Sequence, residues 1–152
     1  MRATVAQNGL FARYDELNQV WHDAERMLTS FHIPHEYNVI YVSYWADNDG
    51  PSYEEHLHLG LQKVKGSWRI CHGYSDDIHP EVRVWTPITE CSAMIRVSAA
   101  THFDKLFEEA VRVSEQFLLR TAKAISHLRN FMTSQQDLAD ELADKAKLVS
   151  ER

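Results

Sequence analysis

The sequence has little cysteine and no long apolar run. Its only cysteines, Cys71 and Cys91, form neither a CxxC pair nor a disulfide framework. No uncharged apolar stretch approaches the roughly 18 residues that a membrane span needs, and the first residues lack the apolar stretch of a secretory signal. We therefore expect a protein of the reducing cytoplasm that does not associate with membranes.

Common enzyme motifs are also missing. The chain contains no GxGxxG, GxxxxGK[ST], GxSxG or HExxH pattern, so we assign no catalytic residues and expect no cofactor. Its 16 basic and 22 acidic side chains give a formal net charge of -6. This acidic balance argues against direct binding of nucleic acid, because such binding needs clustered basic side chains.

What the sequence does contain is apolar periodicity at both ends. The first stripe, at steps of three and four, comprises Leu10, Tyr14, Leu17, Trp21, Ala24, Leu28 and Phe31. It predicts a helix that starts near Asn8-Gly9 and ends before Pro34. The second stripe predicts a helix of roughly thirty residues and comprises Phe103, Leu106, Ala110, Val113, Phe117, Thr121, Ala124, Leu128 and Phe131.

Two capping patterns divide the C-terminal region. Thr86-Pro87 predicts the start of its first helix, and Thr101-x-x-Asp104 predicts a break near Ala100. Ser134-x-x-Asp137 predicts the start of a last amphipathic helix. We therefore predict a single α+β domain over residues 1–133 and an amphipathic helical tail over 134–152.

The middle of the chain has the period of strands. Tyr37–Ala46 is apolar on both faces, which predicts a central strand covered on both sides. The next strand alternates through Leu57, Leu59 and Leu61, and Lys65-Gly66 predicts a hairpin turn. An even-length loop puts Leu61 opposite Ile70 or Trp68, whereas an odd one breaks the apolar face. A short edge strand is predicted at Val82–Trp85.

The expected architecture is an antiparallel sheet of about four strands flanked by an N-terminal helix and long C-terminal helices. A helix of roughly thirty residues spans about 45 Å, whereas strands of five to eight residues span about 20 Å. The excess apolar stripe needs another surface to cover it, so we expect a homo-oligomer.

Acidic residues concentrate in the sheet region. Residues 31–86 contain eight acidic and four basic side chains, and hairpin geometry brings most of the acidic ones to the end away from Lys65-Gly66. The predicted partner-binding rim comprises Asp47, Asp49, Glu54, Glu55, Asp76, Asp77, Tyr53 and Tyr74. Such a rim suits a protein with a basic surface.

Histidines offer an alternative. His56 and His58 share the outward face of one strand with Glu54, and two imidazoles with a carboxylate can hold a divalent metal. His79 or Asp77 could complete that set. His72 instead falls on the core face, where we expect a hydrogen bond to a backbone carbonyl or a tyrosine.

Two functions follow from these patterns. The first is a non-enzymatic interaction or regulatory protein that self-associates through its helical stripes and docks a partner protein with the acidic rim. The alternative is a small metal-dependent enzyme or metal-binding domain that uses the His-x-His strand. A pocket for a small apolar ligand between sheet and helices is a third option.

Overall fold

The computed structural model describes residues 2–46, 50 and 52–152 and has the predicted α+β architecture. Its contacts divide the chain into two compact units, residues 1–114 and 115–152. The elements, in chain order, are α1 (Arg2–Thr29), β1 (Tyr37–Ala46), β2 (Tyr53–Val64), β3 (Ser67–Asp76), β4 (Thr86–Pro87), a 3₁₀ helix (Ile88–Glu90), α2 (Ala93–Ala100) and α3 (Phe103–Ser150).

The four strands form one antiparallel sheet in the order β1-β2-β3-β4. Strands β2 and β3 are joined by a two-residue turn, in which Lys65 and Gly66 have φ values of 49° and 84°. Both values lie in the left-handed region, which is typical of a tight hairpin turn. The turn puts Leu61 opposite Ile70, so the even-length loop predicted from the sequence is confirmed.

Strand β1 lies at the edge of the sheet, so its prediction as a central strand covered on both sides is wrong. Ile40, Tyr44 and Trp45 are exposed; aromatic and branched side chains favour strands even without burial. A bulge between Ile40 and Val42 shifts the pairing with β2 by one residue. At this bulge the carbonyl of Tyr41 accepts a hydrogen bond from Lys105 Nζ of α3 at 2.9 Å.

The hydrophobic core of the first unit lies between one sheet face and the helices. Leu59 and Ile70 from the sheet are fully buried with Leu28 of α1 and Leu106 of α3. The ring of Trp21 meets that of Phe103 edge-on, with centroids 6.0 Å apart. Each predicted apolar stripe therefore packs on this sheet face through only part of its length, and Leu10, Leu128 and Phe131 remain exposed.

An ion pair joins α1 to the part of the β3 edge that β4 leaves unpaired. Glu25 is only 8% exposed, and its carboxylate accepts hydrogen bonds from Arg69 Nε at 3.0 and 3.2 Å. The same carboxylate accepts the backbone N–H of Ile70 at 3.0 Å. Glu25 therefore satisfies a strand donor at a position that β4 does not reach, because β4 pairs only with Cys71 and His72.

The segment after β3 differs from its prediction. The predicted strand Val82–Trp85 is irregular, and the fourth strand is Thr86–Pro87. The helix predicted to start at Thr86-Pro87 is only the 3₁₀ turn Ile88–Glu90, with Pro87 as its N-cap. The segment instead packs directly on the sheet: a Cβ on Gly73 would lie 2.4 Å from Val82 Cγ1 and 3.0 Å from the Trp85 ring. Helix α2 is capped by Ser92, whose hydroxyl accepts the N–H of Ile95.

The helix boundaries also differ in part. Helix α1 runs from Arg2 through Gly9, so the start predicted at Asn8-Gly9 is wrong; an exposed helical glycine costs only about 1 kcal/mol. The predicted break after Ala100 is confirmed. The capping pattern predicted that Thr101 caps the start of the next helix. Its hydroxyl instead donates to the carbonyl of Ser98 at 2.8 Å, at the C-terminal end of α2.

A single helix replaces the two that were predicted after residue 103. Helix α3 is continuous across Ser134, whose hydroxyl donates to the carbonyl of Asn130 one turn earlier. The prediction of a new helix at Ser134 is therefore wrong, while the domain boundary between 133 and 134 stays a prediction. In the second unit, residues 118–152 are all exposed. None of the helices in the described ranges is sufficiently long and apolar to traverse a bilayer.

We expect Glu25→Ala to lower the free energy of unfolding by about 2–3 kcal/mol, because it leaves the Ile70 N–H and the Arg69 guanidinium without their acceptor. Glu16→Ala is the matched control, since Glu16 also pairs with an arginine but is 60% exposed, and it should cost less than about 0.5 kcal/mol. Urea denaturation followed by circular dichroism measures both. Equal losses would contradict the role given to Glu25.

Candidate functional site

Carboxylates from two strands meet at the sheet end opposite the Lys65-Gly66 turn. Glu55 lies opposite Asp76 in the register of β2 and β3. The next residue, Asp77, donates its backbone N–H to the carbonyl of Glu54 and accepts the Glu54 N–H on Oδ2 at 3.0 Å. The structure thus brings Glu54, Glu55, Asp76 and Asp77 together as the acidic rim. The predicted rim residues Asp47 and Asp49 lie outside the described residues.

One face of the acidic rim carries tyrosines around Glu55. Tyr44 of β1 lies opposite Glu55, and a hydrogen bond to this carboxylate raises the pKa of Tyr44 above its usual value. Desolvation and a hydrogen bond to Glu55 likewise raise the pKa of Tyr74. Tyr74 and Tyr44 remain substantially exposed, so this face presents phenol groups around the Glu55 side chain. Tyr53, the first residue of β2, lies opposite Ala46.

The other face of the rim carries a histidine between two polar groups. His56 Nδ1 lies 2.8 Å from Ser43 Oγ, and His56 Nε2 lies 3.2 Å from Asp77 Oδ1. A carboxylate oxygen of Glu54, an oxygen of Asp77 and a ring nitrogen of His56 all lie within 4.8 Å of one another. The backbone hydrogen bond from Glu54 and the contact with His56 lower the pKa of Asp77, which favours the charged carboxylate.

His58 has a different environment from His56, although both share a face of β2. It is 7% exposed, and its ring nitrogens lie 3.0 Å from Asn38 Oδ1 and 2.7 Å from Ser75 Oγ. The Trp85 ring lies edge-on to it, with centroids 6.1 Å apart. Burial lowers the pKa of His58, which favours the neutral imidazole.

The metal set predicted from the sequence was His56, His58 and Glu54. The structure instead groups Glu54 and His56 with Asp77, while both nitrogens of His58 have hydrogen-bond partners. His79 pairs with Asp76 at 3.4 Å. Participation of His58 stays a prediction. Sequence reasoning missed Ser43, because the bulge in β1 determines which residue faces His56.

His72 has a structural environment. Its Nε2 lies 3.0 Å from the hydroxyl of Tyr41 in the buried core, as predicted, and burial lowers its pKa. The two residues therefore satisfy each other inside the hydrophobic core.

The first unit also contains an apolar groove of about 320 Å³. Its lining combines residues of α1 with the junction of α2 and α3 and includes Leu17, Trp21, Met27, Ala100 and Phe103. This groove lies between helices, whereas the small-ligand pocket considered from the sequence was placed between sheet and helices. The lining is almost wholly apolar, so it offers few polar groups to orient a ligand.

Comparison with known proteins adds no assignment: no family model, no curated protein and no solved structure matches this chain. The candidate surfaces are therefore defined by their own chemistry. They are the two faces of the acidic rim and the exposed apolar side chains of the second unit, such as Leu128, Leu138 and Leu142.

Proposed function

We propose that the protein is a non-enzymatic interaction protein that forms a homodimer through residues 115–152 and docks a basic protein partner with its acidic rim. The observation that carries this proposal is the exposed apolar stripe of the second unit. Both cysteines are free, which supports a cytoplasmic setting because a reducing compartment keeps thiols unpaired.

The stripe of the second unit follows a heptad repeat. It comprises Thr121, Ala124, Leu128, Phe131, Gln135, Leu138, Leu142, Lys145 and Val149. Leu128 and Leu142 are 57% and 56% exposed. Spacings of three and four put these side chains on one side of the helix, and such a stripe is stabilised when a second helix covers it.

Charge along the second unit favours a second copy in antiparallel orientation. Between residues 116 and 136 the charged side chains are all basic, namely Arg120, Lys123 and Arg129. Between 137 and 144 they are all acidic, namely Asp137, Asp140, Glu141 and Asp144. Antiparallel copies bring the basic segment of each next to the acidic segment of the other, whereas parallel copies bring like charges together.

Aligning these segments also aligns the stripe. The register that centres the basic segment on the acidic one puts Leu128 opposite Leu138 of the second copy. The small Ala124 then lies opposite the larger Leu142. Of the three polar stripe residues, Thr121 and Lys145 face each other and Gln135 lies opposite Phe131. Lys145 keeps its ion pair with Glu141 on its own helix at 3.2 Å. Charge and side-chain size therefore favour the same register.

We expect Leu128→Asp to raise the dimer dissociation constant ~100-fold or more, because the interface would bury one unpaired carboxylate from each copy. Leu119→Asp is the matched control: Leu119 is also an exposed leucine but lies on the other side of the helix. Size-exclusion chromatography with light scattering should give twice 17.6 kDa for wild type and Leu119→Asp. A monomeric wild type, or equal effects of both variants, would contradict the interface.

The antiparallel orientation predicts a specific cross-link. The double variant Thr121→Cys/Lys145→Cys should form covalent dimers under mild oxidation, because each new thiol would face the other position of the second copy. Neither single variant should cross-link, since equivalent positions would be roughly 36 Å apart along the helix. Wild type controls for Cys71 and Cys91 on a non-reducing gel. Cross-linking of Thr121→Cys alone would demonstrate parallel pairing.

The acidic rim supports the second half of the proposal. Four carboxylates from neighbouring strands lie at one end of the sheet, beside the exposed phenol groups of Tyr44 and Tyr74. Opposite charge accelerates association with a basic surface, and tyrosine provides contact area at low entropic cost. A basic protein segment therefore fits this end of the sheet better than nucleic acid.

The probe for the rim is a lysine-rich peptide, measured by fluorescence anisotropy in the presence of EDTA. We expect Glu55→Gln/Asp77→Asn to weaken binding at least fivefold, because it removes one carboxylate from each face of the rim. Asp104→Asn/Glu108→Gln is the control, since it makes the same change in net charge on exposed residues of α3. If both double variants weaken binding equally, only net charge matters and the rim is not the docking site.

A further inference from the structure

Backbone pairing fixes three potential metal ligands at the rim. Glu54 and His56 are alternate residues of β2, so their side chains project from the same face. The backbone of Asp77 pairs with that of Glu54, and Asp77 Oδ2 accepts the Glu54 N–H. The position of Asp77 beside His56 is therefore set by the sheet and does not depend on chance contact between flexible side chains.

The spacing of the side-chain atoms fits a metal ion. His56 Nε2 and Asp77 Oδ1 are 3.2 Å apart. Two ligands at about 2.1 Å from a tetrahedral ion lie about 3.4 Å from each other. Glu54 supplies a third ligand atom within 4.8 Å of the other two, which gives a set of three ligand atoms. A fourth position stays open to water.

Ser43 orients the histidine. Its Oγ lies 2.8 Å from His56 Nδ1, so it can accept an N–H from that nitrogen and leave the lone pair of Nε2 directed toward Asp77. A histidine that ligates a metal commonly donates its other ring N–H in this way, and the hydrogen bond fixes the ring and its tautomer. Ser43 is therefore a positioning residue for the site.

We propose that Glu54, His56 and Asp77 form a binding site for a divalent transition-metal ion of the Zn²⁺ class. One imidazole and two carboxylates favour such an ion over Mg²⁺ or Ca²⁺, which prefer ligand sets made of oxygen atoms. We leave His58 out of the proposed set, because Asn38 and Ser75 lie within hydrogen-bond distance of its ring nitrogens. The site is distinct from the dimer interface and does not require it.

The test uses the full chain, purified without a histidine tag, and measures Zn²⁺ binding by isothermal titration calorimetry. We expect one equivalent to bind with a micromolar dissociation constant. His56→Gln and Asp77→Asn should each weaken binding at least tenfold, and Ser43→Ala about tenfold, as expected for an orienting partner. His79→Gln is the matched control, because His79 is an exposed histidine that pairs with Asp76; it should bind as wild type does.

Co²⁺ serves as the spectroscopic probe of the ligands. The site predicts visible absorption of four-coordinate Co²⁺ without a thiolate charge-transfer band, because neither Cys71 nor Cys91 is a ligand. Circular dichroism of each variant checks that the fold is retained. Absence of Zn²⁺ binding, unchanged affinity in His56→Gln, equal loss in His79→Gln, or a thiolate band would each overturn the proposal. None of these outcomes bears on the proposed dimer, which is tested separately by its molecular mass in solution.

Discussion

The apolar stripe of α3 is the constraint on which the rest of the molecule depends. Its first part is covered, since Leu106, Ala110 and Val113 are buried in the core of the first unit. Apolar spacing of three and four continues after residue 118, where every side chain is exposed. A helix gains most of its stability from a covered apolar face. The charge segments of residues 120–144 are the reason why we propose a second copy of the chain as the covering surface.

Local patterns determine much of the fold and can be read from the sequence. The register of β2 and β3 is one example, because a slip of one residue would turn Leu61 away from the core. The order of the strands in the sheet is harder to predict from the sequence. The apolar faces of β1 suit a central strand and an aromatic edge strand equally, and only the structure shows Trp45 66% exposed at the edge. The packing of Val82 onto Gly73 is likewise a tertiary contact that leaves no periodic signal in the sequence.

The candidate metal site was likewise only partly predictable from the sequence. Strand parity puts Glu54 and His56 on one face, and the hairpin brings Asp77 to the same end. Ser43 could not be predicted, because the register that pairs Ile40 with His58 would, without the bulge, put Ser43 opposite Glu55. Sequence also cannot separate His56 from His58, which share a face. Burial beneath Trp85 and two hydrogen bonds distinguish His58.

Amide hydrogen exchange over residues 118–149, measured at two protein concentrations, tests the central claim most directly. If a second copy covers the stripe, these amides should be strongly protected above the dimer dissociation constant and should lose protection on dilution, because the monomer leaves the stripe exposed. The amides of β2 and β3 should change little and provide the internal reference. Protection of residues 118–149 that is weak, or equal at both concentrations, would contradict the account.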